Sequence, residues 1–220
     1  MANEQAEFWS KVAEKYDGVV DLQIGGKTRS MVRERVVQEG PLGRLVEFGC
    51  GTGFYTRVLA SKADTVLATD ISPAMLELAK QQVKMANVTF QAEDCQHTSL
   101  PGAAYDAAFI SLVIHFTEPA RTVAEMHRIL RVGGTLIIAN IDPQALNGLD
   151  RIRSLIRIVY QGMLGYRAKP PKGLGRNVMS EKQLCDLLGR SGFRVDEVET
   201  IKDSSRSSNI PIEYIRAVKV

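Results

Sequence analysis

The stretch VEFGCGTGFYT, residues 46–56, places Gly49, Gly51 and Gly53 at alternate positions directly behind an apolar run that begins at Leu45. Glycine has no Cβ, so its backbone adopts positive φ values and lets another molecule approach the chain closely. A helix that begins here also offers free N–H groups to a carboxylate or a phosphate. The stretch therefore predicts a strand, a bare glycine turn and a helix that together bind a polar ligand.

Strand and helix patterns alternate outward from this turn. Apolar runs predict strands at about 45–48, 65–69, 88–92, 105–112 and 135–140, the last after a Gly133-Gly134 turn, with helices after the first, second and fourth of them. This alternation predicts an α/β fold built on a doubly wound parallel sheet. Two more strands, at about 193–201 and 210–219, follow each other without a helix, so they are expected to pair antiparallel.

Composition is that of an ordinary globular domain. The 220 residues are 45% hydrophobic and 24% charged, which predicts a single domain over 1–220. A net charge of +3 gives no general attraction to nucleic acid. Cys50, Cys95 and Cys185 show neither metal-ligand nor disulfide spacing, and no apolar run approaches the ~20 residues of a membrane span. We expect a cytoplasmic protein without a metal or a membrane span.

Two segments flank the sheet pattern. Residues 4–16 carry apolar side chains at helical spacing and a second helix is expected at about 27–37, so residues 1–40 form N-terminal cap helices. Residues 142–180 form a lid-like insertion, with a basic amphipathic helix at about 150–164 and a loop rich in Gly, Pro and basic residues. The apolar stripe of that helix suits a substrate lid, a homodimer interface or a membrane surface. Lid or interface is favoured because the stripe is short.

Asp70 indicates which kind of ligand the turn binds. It follows the second predicted strand, 19 positions after Gly51. An acceptor-only carboxylate at this place suits the two hydroxyls of a ribose. A glycine turn with a helix-capping Asp is the alternative, and the pairing of the two features favours a nucleoside site. The dinucleotide pattern Gly-x-Gly-x-x-Gly is not met, because Phe54 stands at its last position.

The turn closely resembles the first motif of class I S-adenosylmethionine-dependent methyltransferases. In that family an acid and Gly-x-Gly-x-Gly hold the methionine part of the cofactor, which implies contacts at Glu47, Gly49, Cys50, Gly51 and Gly53. An acid after the second strand binds the ribose and an acid after the third faces the adenine. The resemblance extends over residues 10–141. It implies the strand order 3-2-1-4-5-7-6 with strand 7 antiparallel. It also implies further cofactor contacts at Tyr16, Asp70, Ile71, Asp94, Cys95 through its main chain, and Ser111, with Glu93 as the alternative to Asp94.

The resemblance also implies a reaction, in which a nucleophile attacks the sulfonium methyl of S-adenosylmethionine in line. Orientation and exclusion of water supply most of the catalysis. His115, just beyond the fourth strand, is the candidate general base, with a histidine packed in the wall as the equal alternative. Trp9 is assigned either to the acceptor site or to plain helix packing.

The acceptor is expected to be a small molecule rather than a nucleic acid. The sequence SLVIHF, residues 111–116, contains no Asn/Asp-Pro-Pro-aromatic motif and no Pro-Cys pair. The remaining residues hold no appended RNA-binding module. Two alternatives stay open: an NAD(P)-dependent oxidoreductase, and a non-catalytic nucleoside-binding or interaction protein.

Overall fold

Seven strands form one sheet in the computed structural model, which describes residues 2–150, 152–153, 171, 175–205 and 210–220. The strands, numbered in chain order, are β1 Arg44–Phe48, β2 Thr65–Asp70, β3 Val88–Ala92, β4 Tyr105–Ser111, β5 Leu130–Ile141, β6 Phe193–Ile201 and β7 Ile212–Lys219. Their spatial order is β3-β2-β1-β4-β5-β7-β6. This confirms the predicted order.

Strand direction fixes where a ligand can bind. β1 pairs parallel with both β2 and β4, so the strand order reverses at β1. β4 also pairs parallel with β5, whereas β7 is antiparallel to β5 and β6. The carboxyl ends of β1 and β4 consequently diverge into a crevice, which is the usual ligand site of an open α/β sheet.

Helices cover both faces of the sheet. Their bounds are Ala2–Val12, Tyr16–Val20, Gly26–Val37, Thr56–Ala60, Pro73–Gln82, Pro119–Ile129 and Glu181–Arg190. One face of the sheet packs against Val32, Val36 and Leu59 from the earlier helices, and the other against Val123, Met126 and Leu184 from the later ones. Both faces of the central strands β1 and β4 are mostly buried, which explains why these two strands read as mainly apolar runs.

Serine caps fix two helix starts where the sequence predicts them. Ser72 Oγ accepts a hydrogen bond from the Met75 N–H, and Pro73 occupies the first helical position. Ser180 and Gln183 form a capping box at the last helix. These signals are local, so they do not depend on the rest of the fold.

The N-terminal helix differs from its prediction. The expected continuous helix over 4–16 ends at Val12, and a 3-10 turn, Ala13–Lys15, leads into the short helix Tyr16–Val20 and the π-helical segment Asp21–Gly25. Phe8 and Val12 pack on Met75, whereas Val20 belongs to the main core on the sheet. The chain bends because its two ends are buried against different elements.

The Gly133-Gly134 turn is also a wrong prediction, since both glycines lie inside β5. Tyr105 pairs with Leu130 but Ala107 pairs with Thr135, so the intervening residues of β5 form an irregular bulge. Gly133 has φ +75°, and a Cβ on Gly134 would lie 2.8 Å from the Arg131 carbonyl oxygen. The glycines serve the bulge within β5 instead of a turn before it.

The insertion over 142–180 is described only at its ends. It begins with a 3-10 turn, Pro143–Ala145, and residues 148–150 and 152–153 are helical. Most of the predicted amphipathic helix, its stripe and the following loop lie outside the described residues. In the described part of the chain, no helix has both the length and the apolar character that crossing a bilayer requires.

Candidate cofactor and acceptor site

The glycine turn is built on backbone conformations that favour glycine. Gly49 and Gly51 have φ values of +64° and +55°. A Cβ on Gly49 would lie 2.3 Å from Val113 Cγ2, and one on Gly51 would lie 3.4 Å from Tyr16 Cε1. The bare backbone therefore admits the Val113 side chain from one side and leaves room under the Tyr16 ring on the other.

An open cavity lies at this turn. Seven predicted cofactor residues line it, namely Tyr16, Gly49, Gly51, Asp70, Ile71, Asp94 and Cys95. Fold topology alone brings them together, because the residues come from the N-terminal cap and from the carboxyl ends of β1, β2 and β3.

Asp70 is held rigidly at the cavity wall. Its Oδ2 accepts a hydrogen bond from the Gly51 N–H at 2.9 Å, and its Oδ1 accepts one from the Ser72 N–H at 2.8 Å. Burial raises the pKa of Asp70 to about 6, while the backbone N–H groups of Ser72, Gly51 and Ile71 oppose that shift. Each oxygen keeps a second acceptor site, so the carboxylate can still receive hydrogen bonds from a ligand diol.

Both acids after β3 line the cavity, but they differ in their partners. Asp94 Oδ1 accepts from the Gln96 N–H at 2.9 Å. The Glu93 carboxylate accepts hydrogen bonds from the Ser99 N–H at 3.0 Å and from the Ser99 hydroxyl. Burial and the neighbouring Asp94 charge raise the pKa of the Cys95 thiol to about 12, so Cys95 is not a thiolate at neutral pH.

Three predicted contacts in the turn region lie behind the cavity wall. Glu47 is buried beneath the turn and accepts a hydrogen bond from Thr56 Oγ1 at 2.6 Å. A Cβ on Gly53 would lie 2.9 Å from Val83 Cγ2, so this glycine serves the packing of the helix Pro73–Gln82. Cys50 is buried, and its thiol donates weakly to the Gly51 carbonyl at 3.7 Å. These residues shape the turn from below.

Ser111 and His115 also lie outside the cavity lining. Both are buried, and neither the Ser111 hydroxyl nor His115 Nδ1 meets a partner at hydrogen-bond geometry within the described ranges. Burial lowers the pKa of His115 to about 4, although Asn140 opposes that shift, so the imidazole is neutral at pH 7. The ring centroid lies 4.0 Å from that of Phe116.

Aromatic side chains roof the cavity. Trp9 meets Tyr16 edge to face at 5.9 Å and Phe116 at 4.9 Å between ring centroids. Trp9 lines the cavity and also packs within an aromatic cluster. Gln5 Nε2 donates to the Phe116 carbonyl at 3.4 Å, which ties the first helix to the loop after β4.

An unpredicted ion cluster ties the N-terminal cap to the glycine turn. Thr52 Oγ1 donates to Asp17 Oδ2 at 2.7 Å. The buried Arg29 binds Asp17 and Asp21, each at 2.8 Å, and its guanidinium lies 3.9 Å from the centre of the Phe54 ring. Phe54, the residue that departs from the dinucleotide pattern, therefore provides the aromatic ring on which the Arg29 guanidinium stacks. Sequence spacing carries no signal for these long-range contacts.

The remaining wall residues were also not predicted, namely Gln5, Met75, Leu112, Val113, Phe116 and Thr117. Most of them are apolar, so the cavity has polar side chains at Asp70 and Asp94 and mainly apolar side chains elsewhere in its wall. This combination suits a nucleoside that carries a less polar group or lies beside a second, less polar molecule.

Comparison with known proteins agrees with this geometry. Residues 46–138 match the family described as Methyltransferase domain. Malonyl-[acyl-carrier protein] O-methyltransferase of Serratia marcescens is 31% identical over 148 residues, covering 66% of this chain and 55% of that protein. The protein of the same name from Paenibacillus sp. (strain JDR-2) is 26% identical over 228 residues, covering 98% and 79%.

A third relative and a solved structure extend the comparison. The ubiquinone/menaquinone biosynthesis C-methyltransferase of Vibrio parahaemolyticus is 28% identical over 158 residues, covering 67% of this chain and 61% of that protein. The crystal structure of an S-adenosylmethionine-dependent methyltransferase from Mesorhizobium loti superposes with a TM-score of 0.66 at 21% identity, covering 89% of this chain and all of that one.

The chain spans only a little over half the length of the Serratia relative, so what that protein acts on is not transferred by the match. The matched residues, 46–138, run from within β1 through β4 into β5 and include the glycine turn, and the sheet has the order expected of the family. Residues 46–138 are a methyltransferase domain, and the chain has the strand order of the class I S-adenosylmethionine-dependent methyltransferases.

Proposed function

We propose that this protein transfers the methyl group of S-adenosylmethionine to a small-molecule acceptor by in-line displacement. The observation that carries the proposal is the cavity that joins the glycine turn at Gly49 and Gly51 to the carboxylates Asp70 and Asp94 beneath Tyr16. In this proposal Asp70 accepts hydrogen bonds from the ribose and Asp94 from the adenine amino group. Ile71 and Cys95 border the ring, and Glu47, Cys50, Gly53 and Ser111 support the site from behind.

The bound cofactor supplies a methyl group already activated by its sulfonium. The protein's contribution is to orient the two reactants and to exclude water. The roof formed by Trp9, Tyr16 and Phe116 would perform the second task. His115 remains the proposed base. Because its pKa lies near 4, it would accept a proton only from an acceptor that is itself acidic or becomes so during transfer.

The insertion at 142–180 is proposed to be the lid over the acceptor, within a single domain over 1–220. Support comes from its described end. Asn177 Nδ2 donates to the Thr117 carbonyl at 2.5 Å, and a Cβ on Gly175 would lie 3.4 Å from the Phe116 ring. Both Thr117 and Phe116 line the cavity. A homodimer in which the same segment contacts its partner is the alternative use of this face.

The relatives' names support an organic acceptor but differ in the atom that is methylated. One pair is named for O-methylation of malonyl-[acyl-carrier protein] and another relative for C-methylation in ubiquinone and menaquinone biosynthesis. The apolar side chains Met75, Leu112 and Val113 in the cavity wall are consistent with an acceptor that has a substantial apolar part. The proposed acceptor is therefore an organic molecule with a substantial apolar part, and a substrate screen would show whether its oxygen or its carbon is methylated.

Isothermal titration with S-adenosylhomocysteine tests the proposal, with NAD as the competing ligand. We expect micromolar binding of S-adenosylhomocysteine and no heat with NAD. Asp70→Asn keeps the shape of the side chain but loses the charge and one acceptor oxygen, so its affinity should fall about tenfold or more. Asp64→Asn makes the same change of charge at an exposed residue and should bind like the wild type.

Two results would overturn the proposal: binding of NAD in place of the thioether nucleoside, which would favour an oxidoreductase, or binding of neither. Cofactor binding without turnover of any acceptor would favour a non-catalytic nucleoside-binding protein. His115→Ala is assayed separately with an acceptor found in the screen. Unchanged turnover at wild-type cofactor affinity would remove His115 from the chemistry.

A further inference from the structure

A second concave site, a groove open to solvent, lies where three helices and the end of the glycine turn meet. The helices are Gly26–Val37, Thr56–Ala60 and Pro73–Gln82. The lining side chains that matter for its chemistry are Arg33, Val37, Phe54, Arg57, Val58 and Val83. The groove shares no lining residue with the cofactor cavity, so the two sites are separate.

The charged side chains in the groove wall are both arginines. Arg33 and Arg57 are exposed, and no Asp or Glu lines the groove among the described residues. Most other described arginines pair with a carboxylate, as Arg35, Arg128 and Arg131 do. Two positive charges therefore meet here without a carboxylate partner in the part of the chain that the structure describes, which favours an anionic ligand.

Neutral groups hold these arginines at the groove. Arg57 Nη2 donates to the Gln82 carbonyl oxygen at 2.7 Å, and the Arg33 guanidinium lies 5.8 Å from the centre of the Phe54 ring. Each guanidinium has five N–H donors, so these contacts leave most of them free. A free pair of such donors matches the two oxygens of a carboxylate or a phosphate. The arginines are thus placed to bind an oxyanion.

The rest of the groove wall is mainly apolar. Val58 and Val83 are buried, and Phe54 is half-buried. Val37, at the end of its helix, is 54% exposed, so an apolar side chain faces solvent beside the two arginines. A concave apolar wall with a few convergent polar groups is characteristic of small-molecule sites. The ligand should therefore carry an apolar body as well as a negative charge.

We propose that this groove binds a free small molecule that joins an oxyanion, such as a carboxylate or a phosphate, to an apolar body. Arg33 and Arg57 bind the oxyanion, while Val37, Phe54 and Val58 contact the apolar part. A membrane surface or a nucleic-acid backbone fits less well, because the site is concave and holds only two arginines. The inference goes beyond the proposed methyl transfer and does not rest on it.

Two fluorescent probes that differ by a single sulfonate group test the groove. They are 1-anilinonaphthalene-8-sulfonate and N-phenyl-1-naphthylamine, titrated into protein whose cofactor cavity is saturated with S-adenosylhomocysteine. We expect the sulfonate probe to bind about tenfold more tightly or better, because only its oxyanion meets the guanidinium groups. Arg33→Gln and Arg57→Gln should each reduce this preference several-fold.

Arg190→Gln is the matched control, because it makes the same change of charge at an exposed arginine. Arg190 ends the helix Glu181–Arg190, which packs on the other face of the sheet through Leu184 and Leu188. This variant should keep the wild-type preference. Wild-type affinity for S-adenosylhomocysteine in all three variants would show that they are folded.

Several outcomes would overturn the inference. Equal binding of the two probes would mean that no oxyanion is recognised, and a preference that survives both Arg33→Gln and Arg57→Gln would place the probe elsewhere. An equal loss in Arg190→Gln would reduce the effect to overall charge. Sedimentation with phosphatidylglycerol vesicles that depends on Arg33 and Arg57 would replace the free molecule by a membrane lipid.

Failure of the proposed function would be seen separately. If the wild type does not bind S-adenosylhomocysteine, the proposed methyl transfer is contradicted. The dependence of sulfonate binding on Arg33 and Arg57 would still decide whether the groove is an anion site.

Discussion

Glu47 lies buried beneath the glycine turn, where its carboxylate accepts a hydrogen bond from the hydroxyl of Thr56. Burial raises the pKa of its carboxyl to about 8, and the negative charge of Asp70 adds to that shift. The unfolded chain has the ordinary value of 4.5. The folded state therefore holds a proton on Glu47 at pH values where the unfolded state has lost it. Stability from this group is complete below pH 4.5 and is lost as the pH rises through about 8.

Glu47→Gln removes this titration while keeping the shape of the protonated side chain. Relative to the variant, the wild type should lose about 2 kcal/mol of unfolding free energy between pH 6 and pH 8. Urea unfolding of both proteins at these two pH values measures the difference. Glu34→Gln, at an exposed carboxyl, should track the wild type. A constant difference between wild type and Glu47→Gln would show that Glu47 is already ionised at pH 6.

At the scale of elements, the cap helices are held over the glycine turn by the bond from Thr52 to Asp17 and by the stacking of Arg29 on Phe54. Tyr16, the neighbour of Asp17, thereby stays over Gly51. Thr52→Val keeps the volume of the side chain but removes the hydrogen bond. We expect the affinity for S-adenosylhomocysteine to fall about fivefold, the equivalent of about 1 kcal/mol, because the roof over the turn is less firmly held.

Calorimetric titration of Thr52→Val beside Thr65→Val checks this expectation, since Thr65 is exposed at the start of β2. Equal affinities in the two variants would mean that the cap positions Tyr16 without this bond.

The bend in the N-terminal helix is also a feature of how the elements pack. Its apolar spacing predicts a helix correctly, but the bend after Val12 depends on Met75 and the main core, which spacing cannot show.

At the scale of the whole molecule, cofactor binding should stabilise the fold, because the cavity joins residues from the N-terminal cap, β1, β2 and β4. A ligand at 100 times its dissociation constant adds about 2.7 kcal/mol to the unfolding free energy. For a chain of this size that corresponds to a rise of about 5–10 °C in Tm. Differential scanning fluorimetry with S-adenosylhomocysteine measures it. NAD at the same concentration should leave Tm unchanged, and an equal rise with NAD would contradict nucleoside selectivity.

The sequence by itself determined those features whose signals are local. The glycine turn follows from three residues that tolerate positive φ, the helix starts at Ser72 and Ser180 follow from capping, and the strands follow from short apolar runs between turns. The resemblance carried by the glycine motif added the strand order that the structure confirms. The position of Asp70 at the cavity follows from the same topology, because parallel strands end at one edge.

Only the tertiary structure decided which side chains from distant parts of the chain contact one another. Gln5 with Phe116, Asp17 with Thr52, and Arg29 with Phe54 are contacts between elements far apart in the sequence. The same holds for Glu47, which the packing of β1 places beneath the glycine turn and outside the cavity lining. Periodicity specifies which face of an element is buried, whereas the partner on that face depends on how all the elements pack together.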